Sequence, residues 1–352
     1  KSFPKLSKKK KGITLSGRVT ALRGQGGLLF FDFFDGTGRF QGLLKKDGMD
    51  ENIFSLFNDT VDIGDFVEIE GTLFFTKRKE KTILVRRWRM LSKSLRPLPD
   101  KWHGLQDIEE RFRHRYLDNL ISPEVRARFI TGATLITSLR AYLNANNFLE
   151  VETPILQTLA GGALAEPFKT HHQALDIDLY LRVAPELYLK KLLVGGFPKV
   201  YELSRNFRNE GIDATHNPEF TMLEYYEAYS DADKQMEFSE KMLRTVVKKI
   251  WKSGNPTYEG ATIDFSKKFT RVTFFDLLRR YALISHPEKA TQQELLHKCT
   301  QLAVPTNPGD SIDKIMDSIY KKVCRPRLLQ TTFIVDYPVE FSPFAKRKTD
   351  DC

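Results

Sequence analysis

Residues 200–229 read VYELSRNFRNEGIDATHNPEFTMLEYYEAY, and no other stretch constrains the fold as tightly. From 200 to 210 the residues alternate with a period of two. Glu202, Ser204, Asn206, Arg208 and Glu210 fall on one side, and Tyr201, Leu203, Arg205 and Phe207 on the other. That period belongs to a strand with one wet face. Residues 211–218 supply a loop, and a second alternating run places Phe220, Met222, Glu224 and Tyr226 on one face. Together they predict a long antiparallel hairpin whose polar face gathers an arginine, glutamates, a ring and a phenol on rigid backbone. Such a face is either a solvated sheet surface with scattered ion pairs or a ligand site. The second reading draws on Phe220, which could stack on a base, and on the polar loop tip His216-Asn217-Pro218.

The N-terminal part has a different texture. Five short strands are predicted over 13–22, 28–34, 39–44, 66–76 and 82–91, with turns at 24–27 and 35–38 and a helical segment over 51–57. Five strands with a helix between the third and fourth point to a small Greek-key barrel of the oligonucleotide-binding (OB) type. Its binding face would lie on the middle strands beside loops 23–27 and 77–81. The phenylalanines at 30, 31, 33, 34 and 40 are mostly barrel core. The proline-bearing 95–101 is a linker, and 122–147 reads as a helix with Val125, Phe129, Ile136, Leu139 and Leu143 on one stripe. Helices follow over 234–253 and 273–281, then a weakly patterned basic region to 327 and an apolar strand over 332–337.

With 352 residues the chain can bury two cores. Its 55 Lys+Arg against 45 Asp+Glu give a net charge of +10, which suits a polyanionic partner. Three well-separated cysteines, Cys299, Cys324 and Cys352, fit neither a zinc site nor a disulfide framework and point to a reducing compartment. No apolar run approaches the ~20 residues needed to cross a bilayer, so no membrane partner is expected. Residues 1–11, with the basic run 8–11, read as a solvated tail, with a tRNA-contacting arm as the alternative. The start at Lys1 reads as a processed or trimmed product or a fragment.

The run Phe207-Arg208-Asn209-Glu210, with His216 and Phe220 after it, resembles motif 2 of the class II aminoacyl-tRNA synthetases, in its lysyl-tRNA synthetase version. The resemblance extends from about residue 17 to 348. It implies an α+β chain: basic tail 1–11, OB-type anticodon-binding barrel 12–94, linker 95–118 and a class II catalytic domain 119–352 of antiparallel sheet with flanking helices. It also implies ATP-dependent activation of L-lysine to lysyl-adenylate and transfer to tRNA(Lys), with Mg2+ on the phosphates. Arg208 would bridge the lysine carboxylate and the α-phosphate as the catalytic residue. Gly162, Glu186, Glu224 and Tyr226 would join it in binding lysine. Asn209, Glu210, His216, Asn217 and Phe220 would hold ATP with Arg208, and Phe30, Gln41 and Glu80 would read the anticodon.

The helix–strand–proline unit ending at Pro154 resembles motif 1, which implies a homodimer. Residues 160 and 164–166 depart from the family pattern and bear on pocket shape. No glycine follows Gly309, so the glycine-punctuated strand of motif 3, with its ATP-binding arginine, is not in this sequence. The catalytic domain is thus expected to be C-terminally incomplete, with the metal ligands beyond Cys352. A cytoplasmic address is expected, with an organelle as the alternative. Competing readings are a synthetase-like RNA-binding or lysine-binding regulatory paralogue without catalysis, a protein-modifying lysine ligase, and an aspartyl- or asparaginyl-type enzyme. The barrel speaks against the protein-modifying ligase. Glu224 and Tyr226 accept from an ammonium group and so favour lysine over aspartate.

Overall fold

The computed structural model describes residues 3–8, 12–99, 105–213, 215–252, 254–307, 309–341 and 346. The chain forms two compact units, 1–128 and 129–352.

In the first unit, β1 (Ile13–Gln25), β2 (Leu28–Phe34), β3 (Arg39–Lys45), β4 (Phe66–Phe75) and β5 (Lys81–Ser92) close a barrel in the order β1-β2-β3-β5-β4. Alternation sends Phe31 and Phe33 into its core with Val19, Leu44, Ile69 and Ile83. Gly42 lets the strands close there, since a Cβ on it would lie 2.2 Å from the Phe31 ring. Helix α2 (Glu51–Thr60) is N-capped by Asp50 and adds Phe57, whose ring centroid is 5.1 Å from Phe31 and 4.9 Å from Trp88. This is the architecture that the turn and strand pattern predicts, with β1 three residues longer than expected.

One expectation changes. Residues 3–8 are not a solvated tail but a helix, α1 (Phe3–Lys8), because Phe3 packs its ring 4.8 Å from Phe75 and 5.8 Å from Phe40; Lys9, Lys10 and Lys11 lie outside the described residues. Residues 108–121 form α3 (Ile108–Arg113) and α4 (Arg115–Ile121). Buried Asp118 draws Arg111 to 3.2 Å and Arg115 to 2.7 Å, and Arg113 pairs with Glu109. A buried carboxylate requires such partners.

Helix α5 (Pro123–Ala145) carries the boundary between the units. Val125 and Leu143 on its expected stripe are buried, but Phe129 is 55% exposed, and Ile130 and Leu135 are exposed too. In the second unit β6 (Leu149–Glu150) lies parallel to β10 (Lys199–Phe207), which pairs antiparallel with β11 (Glu219–Glu227). A second sheet has the order β7 (Leu156–Gln157), β9 (Ile177–Leu181), β8 (Lys169–His172). Helices α6 (Glu186–Val194) and α7 (Ala232–Ile250) flank the hairpin, and Leu143, Phe148, Tyr201, Met242 and Val246 form its core.

The weakly patterned basic region is a helical body with a core of its own. Helices over Phe274–Leu277, Gln292–Gln301 and Ile312–Ile319 bury Phe274, Leu278, Leu295, Ile315 and Ile319. Strand Thr332–Val335 pairs parallel with Thr270–Thr273 beside them. The charges of this region occupy the outer sides of short helices, which hides their period in the sequence.

The hairpin forms as predicted, with Glu202 opposite Glu224, Ser204 opposite Met222 and Asn206 opposite Phe220. Its polar face is not wet, however. Glu202 and Asn206 are buried, and Ser204 is half-buried.

Candidate active site and nucleic-acid face

The polar face of the hairpin is held from below by one buried ion pair. Arg182 donates from a terminal guanidinium nitrogen to Glu202 Oε1 at 2.6 Å and from Nε to the Arg205 carbonyl at 2.9 Å. Thr153 Oγ1 donates to Glu202 Oε2 at 2.6 Å, so both carboxylate oxygens are engaged. Across the ladder from Glu202 stands Glu224, whose Oε2 accepts from the Tyr226 hydroxyl at 3.0 Å. Burial pushes the Glu224 carboxyl above the usual range. The charges of Glu186 and Glu202 push the same way, against the Tyr226 hydrogen bond and Lys190. Burial likewise raises the Tyr226 phenol, with Glu224 adding to it.

Glu186 enters the pocket from the first turn of α6, directly after Pro185. Lys190, one turn on, bonds it, with Nζ 5.9 Å from the Tyr226 ring centroid. Gly162 closes the other side. Its φ is +92°, and a Cβ would lie 3.1 Å from the Glu186 Cβ and 3.3 Å from that of Ala184. Gly162, Glu186, Glu224 and Tyr226 therefore meet in one pocket whose carboxylates suit an ammonium group. Gly162→Ala is expected to raise the KM for an amine substrate about tenfold. A non-glycine residue in that conformation costs ~1–3 kcal/mol, and the new methyl displaces Glu186. Titration of the variant in steady-state kinetics checks this.

Arg208 lies just past the end of β10, its amide bonded to the Pro218 carbonyl at 2.8 Å. Its guanidinium carbon sits 5.2 Å from the Phe220 ring centroid, and among the described residues no carboxylate pairs with it. Asn209 donates its amide to the Glu166 carbonyl at 2.8 Å. The side chains of Asn209, Glu210, His216 and Asn217 are exposed on the loop, and Phe220 is half-buried. His216 Nδ1 is 2.8 Å from Asp213 Oδ2, and Asp213 Oδ1 accepts from the amides of Thr215 at 2.6 Å and His216 at 2.8 Å. The Thr215 amide first, then the His216 side chain, hold the Asp213 carboxyl well below the usual range.

Three contributors were not singled out from the sequence. Asp213 had a readable signal, because an aspartate two residues before a threonine is the pattern of an Asx turn. Arg182 and Lys190 had none, since their roles follow from which elements pack together. Among the described residues no group of three or more His, Cys, Asp or Glu side chains is placed to hold a metal ion.

On the barrel, Phe30 and Asp32 alternate with the core residues Phe31 and Phe33 and so share the outer side of β2. Gln41 stands opposite Asp32, donates from Nε2 to Glu80 at 3.2 Å, and accepts from Thr82 at 2.8 Å. Asp32 pairs with Arg23 at 3.1 Å. A half-buried ring, an amide, a carboxylate and an arginine thus stand on one barrel wall, which suits stacking on a splayed base and reading its edges.

Residues 107–352 match the family of tRNA synthetases class II (D, K and N), and residues 13–91 match the OB-fold nucleic acid binding domain. The chain is 43% identical over 341 residues to the lysine–tRNA ligase of Pelotomaculum thermopropionicum, covering 96% of this chain and 67% of that protein. It is 44% identical over 339 residues to that of Moorella thermoacetica, covering 96% and 69%. With the Aquifex aeolicus lysine–tRNA ligase it shares 44% over 340 residues, covering 96% and 57%. An α+β chain with an OB barrel, a charged antiparallel hairpin and these relatives belongs to the class II aminoacyl-tRNA synthetases.

Proposed function

We propose that the protein carrying this chain is a lysine–tRNA ligase. The observation that carries the reading is the pocket of Glu186, Glu224 and Tyr226 at one end of the hairpin face, with Arg208 and Phe220 at the other. Lysine binds with its ε-ammonium at Glu224 and Tyr226 and its α-ammonium at Glu186 and Gly162. One lysine carboxylate oxygen attacks the α-phosphorus of ATP, and the bond to the bridging oxygen breaks to release pyrophosphate. The nucleophile is already an anion, so the step needs positioning and charge neutralisation rather than a base. Arg208 provides these, its planar fork spanning carboxylate and α-phosphate. It leaves Phe220, whose ring then stacks on adenine, while Asn209, Glu210, His216 and Asn217 close on the nucleotide. In the second step a terminal tRNA hydroxyl attacks the lysyl carbonyl and AMP leaves.

Magnesium travels with the ATP phosphates; no cluster of described residues fits it, and no step above depends on it. Phe129, Ile130 and Leu135 of α5 are exposed apolar side chains that a second copy of the chain would cover, giving a homodimer. No helix among the described residues is long and apolar enough to cross a membrane; the cytoplasmic site of action belongs to the proposed role in charging tRNA. The test is amino-acid-dependent ATP–pyrophosphate exchange by the protein carrying this chain, across all amino acids. Lysine alone should support it. Exchange with aspartate or asparagine instead would overturn the reading.

The barrel makes its own prediction. Phe30→Ala should cost ~1–3 kcal/mol of tRNA affinity through the lost stack and leave lysine-dependent exchange intact. Filter binding and exchange on the same preparation separate the two effects. Equal losses in both would count against an anticodon role for Phe30.

A further inference from the structure

Among the described residues, five buried side-chain polar atoms lack a hydrogen-bond partner. Four of them are Ser204 Oγ, Asn206 Nδ2, Asn206 Oδ1 and Arg208 Nε. They follow one another along the same side of the hairpin. Asn206 is the extreme case, 0% exposed with both amide atoms unpaired, so exchanging its oxygen and nitrogen would not satisfy it. Across the ladder Ser204 and Asn206 face Met222 and Phe220, which offer no strong donor or acceptor. A buried polar group without a partner is costly to the fold, and three successive residues bearing such groups mark a surface built for something other than stability.

Position says for what. Same-face neighbours on a strand stand about 7 Å apart, so Asn206 is about 14 Å along the sheet from the Glu202–Glu224 pair. An extended lysine, with a hydrogen bond at each end, bridges that span. With its ε-ammonium at Glu224, its α-carbon group arrives beside Asn206, next to Arg208. That group carries the anionic carboxylate, an acceptor for the free N–H of a buried amide.

We propose that Asn206 is a substrate-binding residue whose amide holds the lysine carboxylate at its junction with the α-phosphate, Nδ2 donating to a carboxylate oxygen. The proposal rests on the lysine-activating reading of the site. Binding of lysine and ATP would draw Arg208 off Phe220 and open the amide to the substrate. Ser204, one step nearer Glu224, lies along the aliphatic part of the lysine.

Asn206→Leu and Asn206→Asp in the protein carrying this chain test it. Leucine removes the unpaired amide from a buried place, so the midpoint of thermal unfolding should hold or rise while exchange kcat/KM for lysine falls about 100-fold, the scale of a lost hydrogen bond to a charged group. Asn206→Asp keeps an acceptor but loses the donor. It should therefore bind the non-hydrolysable 5′-O-(lysylsulfamoyl)adenosine at least tenfold more weakly by calorimetry. A lower unfolding midpoint in Asn206→Leu with wild-type exchange per folded molecule would make the amide a structural group and overturn the proposal. Unchanged analogue affinity in Asn206→Asp would overturn it too, whether or not the leucine variant folds. If the wild-type protein itself fails to exchange with lysine, the assignment of the site falls, an outcome distinct from an active wild type with indifferent variants.

Discussion

Arg208→Ala is expected to lower lysine-dependent pyrophosphate exchange by about 10³-fold or more, the scale on which an arginine that stabilises phosphoryl-transfer charge acts. Thermal stability should change little. Arg208 has no carboxylate partner among the described residues, and its Nε is buried without a hydrogen bond, so the empty protein loses only the contact with Phe220. That separation of stability from rate distinguishes a residue held ready for ligand from one that braces the fold. Arg208→Lys should recover little, because an ammonium lacks the fork that spans two oxygens. Exchange kinetics and thermal melts on one preparation decide it. Activity within tenfold of wild type would remove Arg208 from the chemistry.

Glu224→Gln should raise the KM for lysine about 10²-fold with a smaller effect on the KM for ATP. Removing one partner of a buried charged pair typically costs ~3–5 kcal/mol, and Glu224 is half-buried, so the lower end applies. A pH dependence accompanies it. Burial, with the charges of Glu186 and Glu202, sets the folded-state pKa of Glu224 above its unfolded value. Between those two values the native protein holds more protons than the unfolded chain, so this group's contribution to stability falls as pH rises through the window. Lysine affinity rises through the same window, because the ammonium needs the ionised carboxylate. Glu224→Gln should flatten both dependences. A lysine KM that keeps its wild-type pH profile in the variant would show that another group binds the ε-ammonium.

The barrel and the hairpin are the parts most plainly legible in the sequence, and for a common reason. Their core residues repeat at a period of two, as Phe31 and Phe33 do, and turn residues such as Gly26-Gly27 punctuate them. The helices around Leu295 and Ile315 were not legible, since short helices and single turns carry too little period to stand out among lysines and arginines. At the site, Glu224, Tyr226, Arg208 and Phe220 could be placed on one face from alternation alone. Alternation does not report burial, and the face reads as wet because its residues are polar. Arg182, more than twenty residues before Arg205 in the chain, arrives from another strand to satisfy Glu202, and that pairing is a tertiary fact. Arg111 and Arg115 illustrate the same limit, since their convergence on buried Asp118 is likewise a tertiary fact.

The central claim is that lysine is activated along the β10–β11 face between Glu224 and Arg208. A crystal structure of the protein with 5′-O-(lysylsulfamoyl)adenosine tests it most directly. The ε-ammonium should lie within hydrogen-bond distance of Glu224 and the Tyr226 hydroxyl, with adenine against Phe220 and Arg208 swung from that ring onto the sulfamoyl oxygens. An analogue bound away from this face, or one bound here while Arg208 stays stacked on Phe220, would contradict it.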